Sequence, residues 1–158
     1  MIAAITEFES TCVSLGNLLY CKTKDGVKVG KVTQMTNTPA GNVLFVMIDG
    51  AEFCGLWESL CAEPIPITEE FLLSNGFKLD EKIHIMTNEL FYSIEIDDFK
   101  IDIQNGSNTL GRDWWVHIDN TDCCTVASAD IQYVHQLQNL LNLMGINSDF
   151  VVKVQQHN

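Results

Sequence analysis

The pattern of apolar and polar positions in the first third of the chain predicts short strands joined by turns. An apolar run covers residues 18–21, and alternation resumes over 27–35. Between them lies Asp25-Gly26, a dipeptide that tolerates the positive φ of a tight hairpin turn. Gly30 interrupts the alternation, so we expect a bulge there, at which the strand bends.

The same pattern continues through the next segment of the chain. A proline and a glycine predict a loop over 37–42, and the apolar run 43–48 predicts a buried strand. Another strand is expected over 53–60. Four or five short strands with glycine-rich turns indicate a small SH3-like β-barrel over residues 1–62, because closure removes exposed sheet edges.

Residues 63–158 are expected to form an α+β half that packs with the first half as one compact unit. A connector over 62–67 holds two prolines, which force extended backbone. Thr68 predicts the N-cap of a short helix with two glutamates in its first turn, and Gly76 predicts the C-terminal end of that helix.

Alternation then predicts an antiparallel hairpin sheet. The three strands are expected over residues 91–97, 99–103 and 114–118. Because successive side chains on a strand point to opposite faces, Trp114 and Trp115 should lie on opposite sides of the sheet. One of them is expected in the core. The other is either exposed at an interface or covered by the C-terminal helix.

Apolar residues at three- and four-residue spacing predict a C-terminal amphipathic helix from Ile131 onwards. Ser128 or Asp130 is expected to cap its start, Gly145 to end it, and residues 150–154 to add an edge strand. The predicted fold class is therefore α+β: a small N-terminal SH3-like β-barrel followed by a short helix, an antiparallel hairpin sheet and a C-terminal amphipathic helix.

The polar face of the predicted C-terminal helix consists almost wholly of neutral amides. Surface helices usually carry charged side chains on this face, so two interpretations stay open. The face is either solvated and neutral, or its amides meet a partner or a polar ligand. His135 is interpreted as a hydrogen-bonding helix residue rather than a ligand. The residues of this face are Gln132, His135, Gln136, Gln138, Asn139 and Asn142.

The charge balance describes a chain that is poor in bases. Its 158 residues include 21 acidic and nine basic ones, for a formal net charge of -12, and Arg112 is the single arginine. This balance argues against binding nucleic acid or an anionic membrane through a basic patch. Four lysines lie between residues 22 and 31. They are interpreted either as protecting an edge strand or as contacting a phosphate or an acidic partner.

The chain shows no motif for catalysis or metal binding. Its six cysteines lack the Cys-x2-Cys spacing of zinc sites, and no phosphate-binding glycine motif occurs. Cys124 with His117 or His135 is considered as a nucleophile with its base, but the cysteines are interpreted as small buried hydrophobes. The aspartates at 97, 98 and 102 are interpreted as a solvated rim. We therefore predict no metal, no cofactor and no enzymatic activity.

Two stretches of the chain are distinctive. Residues 63–73 read Glu-Pro-Ile-Pro-Ile-Thr-Glu-Glu-Phe-Leu-Leu and are followed by Gly76-Phe77, and residues 133–140 read Tyr-Val-His-Gln-Leu-Gln-Asn-Leu. With residues 15–17 and 30–32, they resemble a family of small uncharacterised proteins common in Bacteroidota genomes, prophages and phages. The resemblance implies a phage or prophage setting, in which small accessory proteins often block host processes such as antiviral defence.

From this resemblance we expect a non-enzymatic binding protein of phage or prophage type in the cytoplasm of the bacterial host cell. Its expected role is counter-defence, by sequestering a host immune protein or a nucleotide-like immune signal. The alternatives are an acidic nucleic-acid mimic and a virion assembly component, and self-association stays open. Direct binding to nucleic acid or a membrane is not expected. The expected contact residues are Trp57, Arg112, Trp115, Tyr133, His135, Gln136, Gln138, Asn139, Lys28 and Lys31.

Overall fold

The computed structural model divides the chain into two compact units. The first comprises residues 1–66, 133–141 and 152–158, and the second comprises 67–132 and 142–151. Part of the C-terminal helix, which the sequence pattern assigns to the second half, thus belongs to the first unit. The described residues are 13–56, 60–80, 91–105, 114–122, 124–147 and 149–154.

The first unit contains an antiparallel five-stranded sheet. Its strands are β1 (Leu18–Thr23), β2 (Gly26–Thr38), β3 (Gly41–Ile48), β4 (Ala51–Leu56) and β5 (Ala62–Pro64), in the order β4-β3-β2-β1-β5. Within the described residues, β4 and β5 are the two edges of an open sheet. No closed barrel is found there, so the predicted SH3-like barrel is not confirmed. The core of the unit packs Val13, Leu19, Cys21, Val32, Leu44, Val46, Ile48 and Ala62 together.

The connection between β2 and β3 is a two-residue turn. Asn37 pairs with Asn42 and Thr38 pairs with Gly41, so only Pro39-Ala40 lies outside the strands. Gly41 has a φ of 122°, and the Thr38 hydroxyl donates a hydrogen bond to its carbonyl oxygen at 2.7 Å. The predicted loop over 37–42 is wrong because the glycine supplies a backbone conformation that lets the strands pair almost to the turn.

Gly30 lies in a regular part of β2 and not at a bulge. It pairs with Leu19 in unbroken register, and the irregularity of β2 falls after Val32. A Cβ atom at Gly30 would overlap Val46 Cγ1 and lie 3.0 Å from Cys21 Sγ. The missing side chain therefore serves close packing in the core rather than a bend of the strand.

The substitution Gly30→Ala should lower the free energy of unfolding by about 1–3 kcal/mol, because the added methyl group must displace the buried Val46 side chain. Urea denaturation measures the difference. Val27→Ala shortens an exposed side chain on the same strand and should change stability by less than about 0.5 kcal/mol. Equal stability of Gly30→Ala and the wild type would contradict this account of the packing.

The second unit contains another antiparallel five-stranded sheet. Its strands are β6 (Lys78–Asp80), β7 (Phe91–Ile96), β8 (Phe99–Asn105), β9 (Trp114–Asn120) and β10 (Thr125–Ile131), in the order β10-β9-β8-β7-β6. The predicted antiparallel pairing of β7, β8 and β9 is confirmed. The predicted number of strands is wrong, because β6 and β10 pair at the two edges. Neither edge strand carries the clear alternation of large apolar residues that marks the other three.

The short helix α1 (Glu69–Ser74) begins and ends at predicted signals. The Thr68 hydroxyl accepts a hydrogen bond from the Phe71 N–H at 3.1 Å, which confirms the N-cap. At the other end, the Phe77 N–H donates to the Leu72 carbonyl at 3.1 Å. Gly76 lies between the C-cap Asn75 and Phe77 and has a φ of 88°. The helix therefore terminates in a Schellman motif.

The C-terminal helix α2 (Val134–Leu143) begins three residues later than predicted. Ile131 ends β10, and Ser128 and Asp130 lie within that strand, so the predicted caps are wrong. Gly145 follows the helix in a turn with a φ of 73°. Among the described residues, no helix has the length and apolar character that crossing a membrane requires.

The predicted edge strand over 150–154 is not observed. In its place, the side chain of Asn75 accepts from the Val151 N–H at 2.7 Å and donates to the Val151 carbonyl at 2.9 Å. Phe150 packs edge-on against Phe71, with ring centroids 5.4 Å apart. One amide side chain thus satisfies both backbone groups of Val151, as a neighbouring strand would.

Candidate functional site

The amide of Gln138 bonds to this chain's own backbone. Its side chain is only 5% exposed. Its Oε1 accepts a hydrogen bond from the Leu18 N–H at 2.9 Å, and its Nε2 donates to the Gly16 carbonyl at 3.4 Å. Gln138 therefore closes the turn before β1, and the interpretation of a solvated amide face is wrong at this position.

Asn139 bonds to the same turn. Its Oδ1 accepts a hydrogen bond from Asn17 Nδ2 at 2.9 Å. Asn17 is fully buried, and its own Oδ1 accepts from the Ser14 N–H at 2.6 Å. We call Asn17, Gln138 and Asn139 the amide lock. It joins the start of the first sheet to the first part of α2, and both belong to the first unit.

Gln136 and Tyr133 form the start of α2. Gln136 Oε1 accepts a hydrogen bond from the Tyr133 N–H at 3.1 Å, which is one half of a capping box. The Val134 N–H donates to the Ile65 carbonyl at 2.8 Å, and Pro66 forms a bridge with Tyr133. The two stretches that carry the family resemblance therefore pair with each other at this point.

His135 is fully buried and stacks on Tyr133, with ring centroids 5.7 Å apart and planes 9° apart. Among the described residues, neither of its ring nitrogens has a hydrogen-bond partner. The prediction of a hydrogen-bonding histidine is therefore wrong. Burial lowers the pKa of His135 to about 4, because the charged imidazolium loses its hydration. The ring is consequently neutral near physiological pH.

Two of the four clustered lysines pair with carboxylates. Lys28 Nζ lies 3.2 Å from Asp49 Oδ2, and Lys22 Nζ lies 2.6 Å from Glu63 Oε1. Lys31 stays exposed on β2. The strands that carry these lysines, β1 and β2, are interior in the strand order, so the interpretation of edge protection is wrong.

Trp114 and Trp115 face opposite sides of β9, as predicted. Trp114 is 8% exposed, and its Nε1–H donates to the Ile67 carbonyl at 3.0 Å. Its ring meets Tyr92 edge-on at a centroid distance of 5.9 Å. Trp115 is 40% exposed. Trp115 is therefore not fully covered, and part of its surface is open to a partner.

Trp115 lies on a polar face of the second sheet. Its cross-strand neighbours are Asp130 on β10 and Gln104 on β8. Side chains paired across antiparallel strands point to the same side of a sheet, so the next pairs along β9 extend this surface. We call it the Trp115 face, and it comprises Ser93, Lys100, Asp102, Trp115, His117, Asp119 and Asp130.

Hydrogen bonds and ion pairs hold the polar side chains of the Trp115 face in place, except for Asp130. Asp102 accepts hydrogen bonds from the Ser93 hydroxyl and, at 2.9 Å, from Lys100 Nζ. Bonding to Asp102 is the main cause that raises the pKa of Lys100. On the neighbouring strand, His117 Nε2 lies 3.2 Å from Asp119 Oδ1. These five side chains therefore form an ordered array beside Trp115 and Asp130.

A groove of about 540 Å³ adjoins this face at the β6 edge. Ser93 and Lys100 belong to both surfaces. The remaining charged residues of the groove are Lys78, Asp80 and Glu95. The groove thus extends the Trp115 face with charges of both signs.

The residues considered for catalysis are not assembled into a site. Cys124 Sγ contacts the Asp122 carbonyl at 3.7 Å, while the ring of His117 bonds to Asp119 and Thr125. Cys21 is buried, which raises the pKa of its thiol to about 11. The described cysteines 54, 61 and 124 are exposed, so the interpretation of buried hydrophobes is wrong for them. In the described part of the chain, no group of three or more His, Cys, Asp or Glu is placed to hold a metal ion.

Two predicted contact residues, Trp57 and Arg112, lie outside the described residues. The polar members of the Trp115 face were not predicted as one surface. Alternation along β8 and β9 was the available signal, since it places Asp102 and His117 on the same side as Trp115. Asp130 was expected at a helix cap instead.

Comparison with known proteins adds no relative. No protein-family model, no curated protein and no solved structure matches the chain. The class of protein is therefore defined by the architecture of the described residues, which are mostly β and of α+β type, with two antiparallel sheets and two helices among them. Among the surfaces described above, the Trp115 face combines an exposed aromatic ring with hydrogen-bonded polar side chains.

Proposed function

We propose that this chain is a non-enzymatic binding protein of phage or prophage type that acts in counter-defence by sequestering a host immune protein. The observation that carries the proposal is Trp115, which is 40% exposed on an inner strand among hydrogen-bonded polar side chains. Aromatic side chains anchor protein interfaces because they supply large contact area for little loss of entropy. Side chains that are already ordered lose less freedom on binding.

The charges favour a protein over a nucleotide-like signal as the partner. The Trp115 face holds three aspartates and one lysine, and that lysine is bonded to Asp102. The amides that were expected to meet a polar ligand bind the turn before β1 instead. A phosphate group needs donors and positive charge, and this face supplies mostly acceptors.

The phage setting rests on the family resemblance, which is carried mainly by residues 63–73 and 133–140. The contact between Ile65 and Val134 supports a shared structural role for these stretches. In this setting the chain acts in the cytoplasm of the bacterial host. We retain the SH3-like barrel as a proposal for the first sheet, since β5 pairs beside β1 and contributes Ala62 to the same core cluster as β1, β2 and β3.

Native mass spectrometry of the tagged chain, purified from phage-infected host cells, tests the proposal. We expect a complex that is heavier than the free chain by the mass of a host protein. Trp115→Ala should weaken this complex by at least about 30-fold, the loss typical of a central aromatic residue in an interface. Recovery of the free chain alone would overturn the proposal, and an added mass of nucleotide size would replace the protein partner by a nucleotide-like signal.

The matched control for this experiment is Phe53→Ala. Phe53 is 46% exposed, but it lies on β4 in the first unit. Its truncation removes a similar aromatic surface without touching the Trp115 face, so the complex should survive. Equal loss of the complex in both variants would show that the Trp115 face does not form the interface.

A further inference from the structure

We propose that the Trp115 face binds an arginine-bearing segment of the partner protein, with a guanidinium group stacked on the Trp115 indole and bonded to Asp130. This inference rests on the proposed function only in taking the partner to be a protein. The geometry that points to it is the pairing of an exposed aromatic ring with a carboxylate on the adjacent strand.

Trp115 and Asp130 are directly opposite each other on β9 and β10. Side chains paired in this way have Cβ atoms about 4.5–5.5 Å apart. A guanidinium group that lies on the indole face can therefore reach the carboxylate without moving either strand. Asp130 is exposed, and among the described residues no hydrogen bond or ion pair to its carboxylate is found.

The other carboxylates of the face already have partners. Asp102 bonds to Ser93 and Lys100, and Asp119 bonds to Thr125 and approaches His117. Their charges still make the electrostatic potential around Trp115 negative, but they have fewer oxygen positions free to accept a hydrogen bond from a ligand. Asp130 is consequently the carboxylate that an incoming cation can bind, and the neighbouring aspartates attract that cation before contact.

Arginine suits this arrangement better than lysine. Its guanidinium is planar, stacks on aromatic rings and presents paired N–H donors that match a carboxylate. A lysine ammonium is a compact, strongly hydrated charge and gains less from an exposed ring. An anionic ligand would meet three aspartates, so a phosphate-bearing molecule is disfavoured at the same place.

Isothermal titration of the purified chain with an oligoarginine peptide tests the inference. An oligolysine peptide of equal length and a nucleoside diphosphate serve as the comparison probes. We expect binding of oligoarginine that is several-fold tighter than binding of oligolysine, and no binding of the nucleotide. Trp115→Ala should weaken oligoarginine binding by about ten-fold, and Asp130→Asn by about three- to ten-fold.

Two matched controls separate this site from general attraction to a chain of charge -12. Asp25→Asn removes one charge from the turn between β1 and β2, and Phe53→Ala removes an exposed ring from β4. Both should change the affinity by less than about two-fold, as expected for residues outside the contact. Thermal unfolding of each variant shows whether it is folded at the temperature of titration.

Equal weakening by the site variants and their controls would overturn the inference. So would equal affinity for oligoarginine and oligolysine, or binding of the nucleotide that Trp115→Ala abolishes. None of these results decides whether a host protein is present in the complex isolated from infected cells. Failure of this inference is therefore distinguishable from failure of the proposed function.

Discussion

Acidification should destabilise the protein through His135 by about 3 kcal/mol. Burial lowers the pKa of this histidine to about 4 from an ordinary value of 6.5. The unfolded state therefore binds an additional proton between these pH values, and each pKa unit corresponds to about 1.4 kcal/mol. The stability from the neutral, buried ring is fully present above pH 6.5 and is lost as the pH falls towards 4.

Urea denaturation of the wild type and of His135→Leu, measured at several pH values between 7.5 and 4, tests this prediction. Leucine is apolar and close to histidine in volume. His135→Leu should therefore remove most of the pH dependence of the free energy of unfolding that His135 causes. Other groups contribute to acid denaturation in both proteins and cancel in the comparison. A His135→Leu protein that loses stability with acid as steeply as the wild type would disprove the assignment.

Breaking the amide lock should have a comparable effect at neutral pH. Asn17→Ala removes the acceptor of the Ser14 N–H and the donor to Asn139, and both bonds lie around a fully buried side chain. A buried polar group left without a partner costs about 1–3 kcal/mol. We expect Asn17→Ala to lower the free energy of unfolding by about 1–3 kcal/mol, since it removes two hydrogen bonds of a fully buried side chain whose partners, Ser14 and Asn139, are partly open to solvent.

A double-mutant cycle of Asn17→Ala and Asn139→Ala isolates the bond between the two amides. Residues in direct contact show coupling energies of about 0.5–3 kcal/mol, whereas independent sites add. Asn142→Ala is the control, because Asn142 is exposed on the same helix. It should show no coupling to Asn17. Additive effects of Asn17→Ala and Asn139→Ala would contradict a lock between these side chains.

The sequence pattern was sufficient to predict the strands and their buried faces where large apolar residues alternate. Tyr92, Ile101 and Val116 are buried on β7, β8 and β9 as the alternation predicts. The same rule placed Trp114 and Trp115 on opposite sides of the sheet, as observed. It failed for β10, whose small and polar residues do not alternate with large apolar ones. Ile131, at the end of that strand, also fits the spacing of the following helix, so the helix was predicted to begin too early.

The role of the amide face depends on contacts between distant parts of the chain. Asn17 and Asn139 are 122 positions apart, and no local pattern indicates that they meet. Periodicity assigned Gln138 and His135 to a polar face, yet both are buried. Hydrogen-bond partners from the turn before β1 satisfy Gln138, whereas His135 is accommodated as a neutral ring. At Gln138, burial is therefore explained by these partners and not by the hydrophobicity of the residue.

The candidate site was only partly accessible to the same reasoning. The opposite orientation of Trp114 and Trp115 follows from their adjacent positions on one strand, whereas the exposure of Trp115 did not follow from the sequence. Its neighbour Asp130 follows from the register of β9 and β10, which could not be derived once β10 was missed. The position of the charges in the fold is thus more informative than the net charge of the chain. A base-poor composition leaves three aspartates and one paired lysine around an exposed ring.

Hydrogen–deuterium exchange of the complex isolated from infected cells, compared with the free chain, tests the central claim most directly. That claim is that the partner binds the Trp115 face and not the amide face of α2. We predict slower exchange in peptides that cover 114–120 and 125–131, with unchanged exchange over 133–143. Slower exchange confined to 133–143, with 114–131 unchanged, would contradict the account.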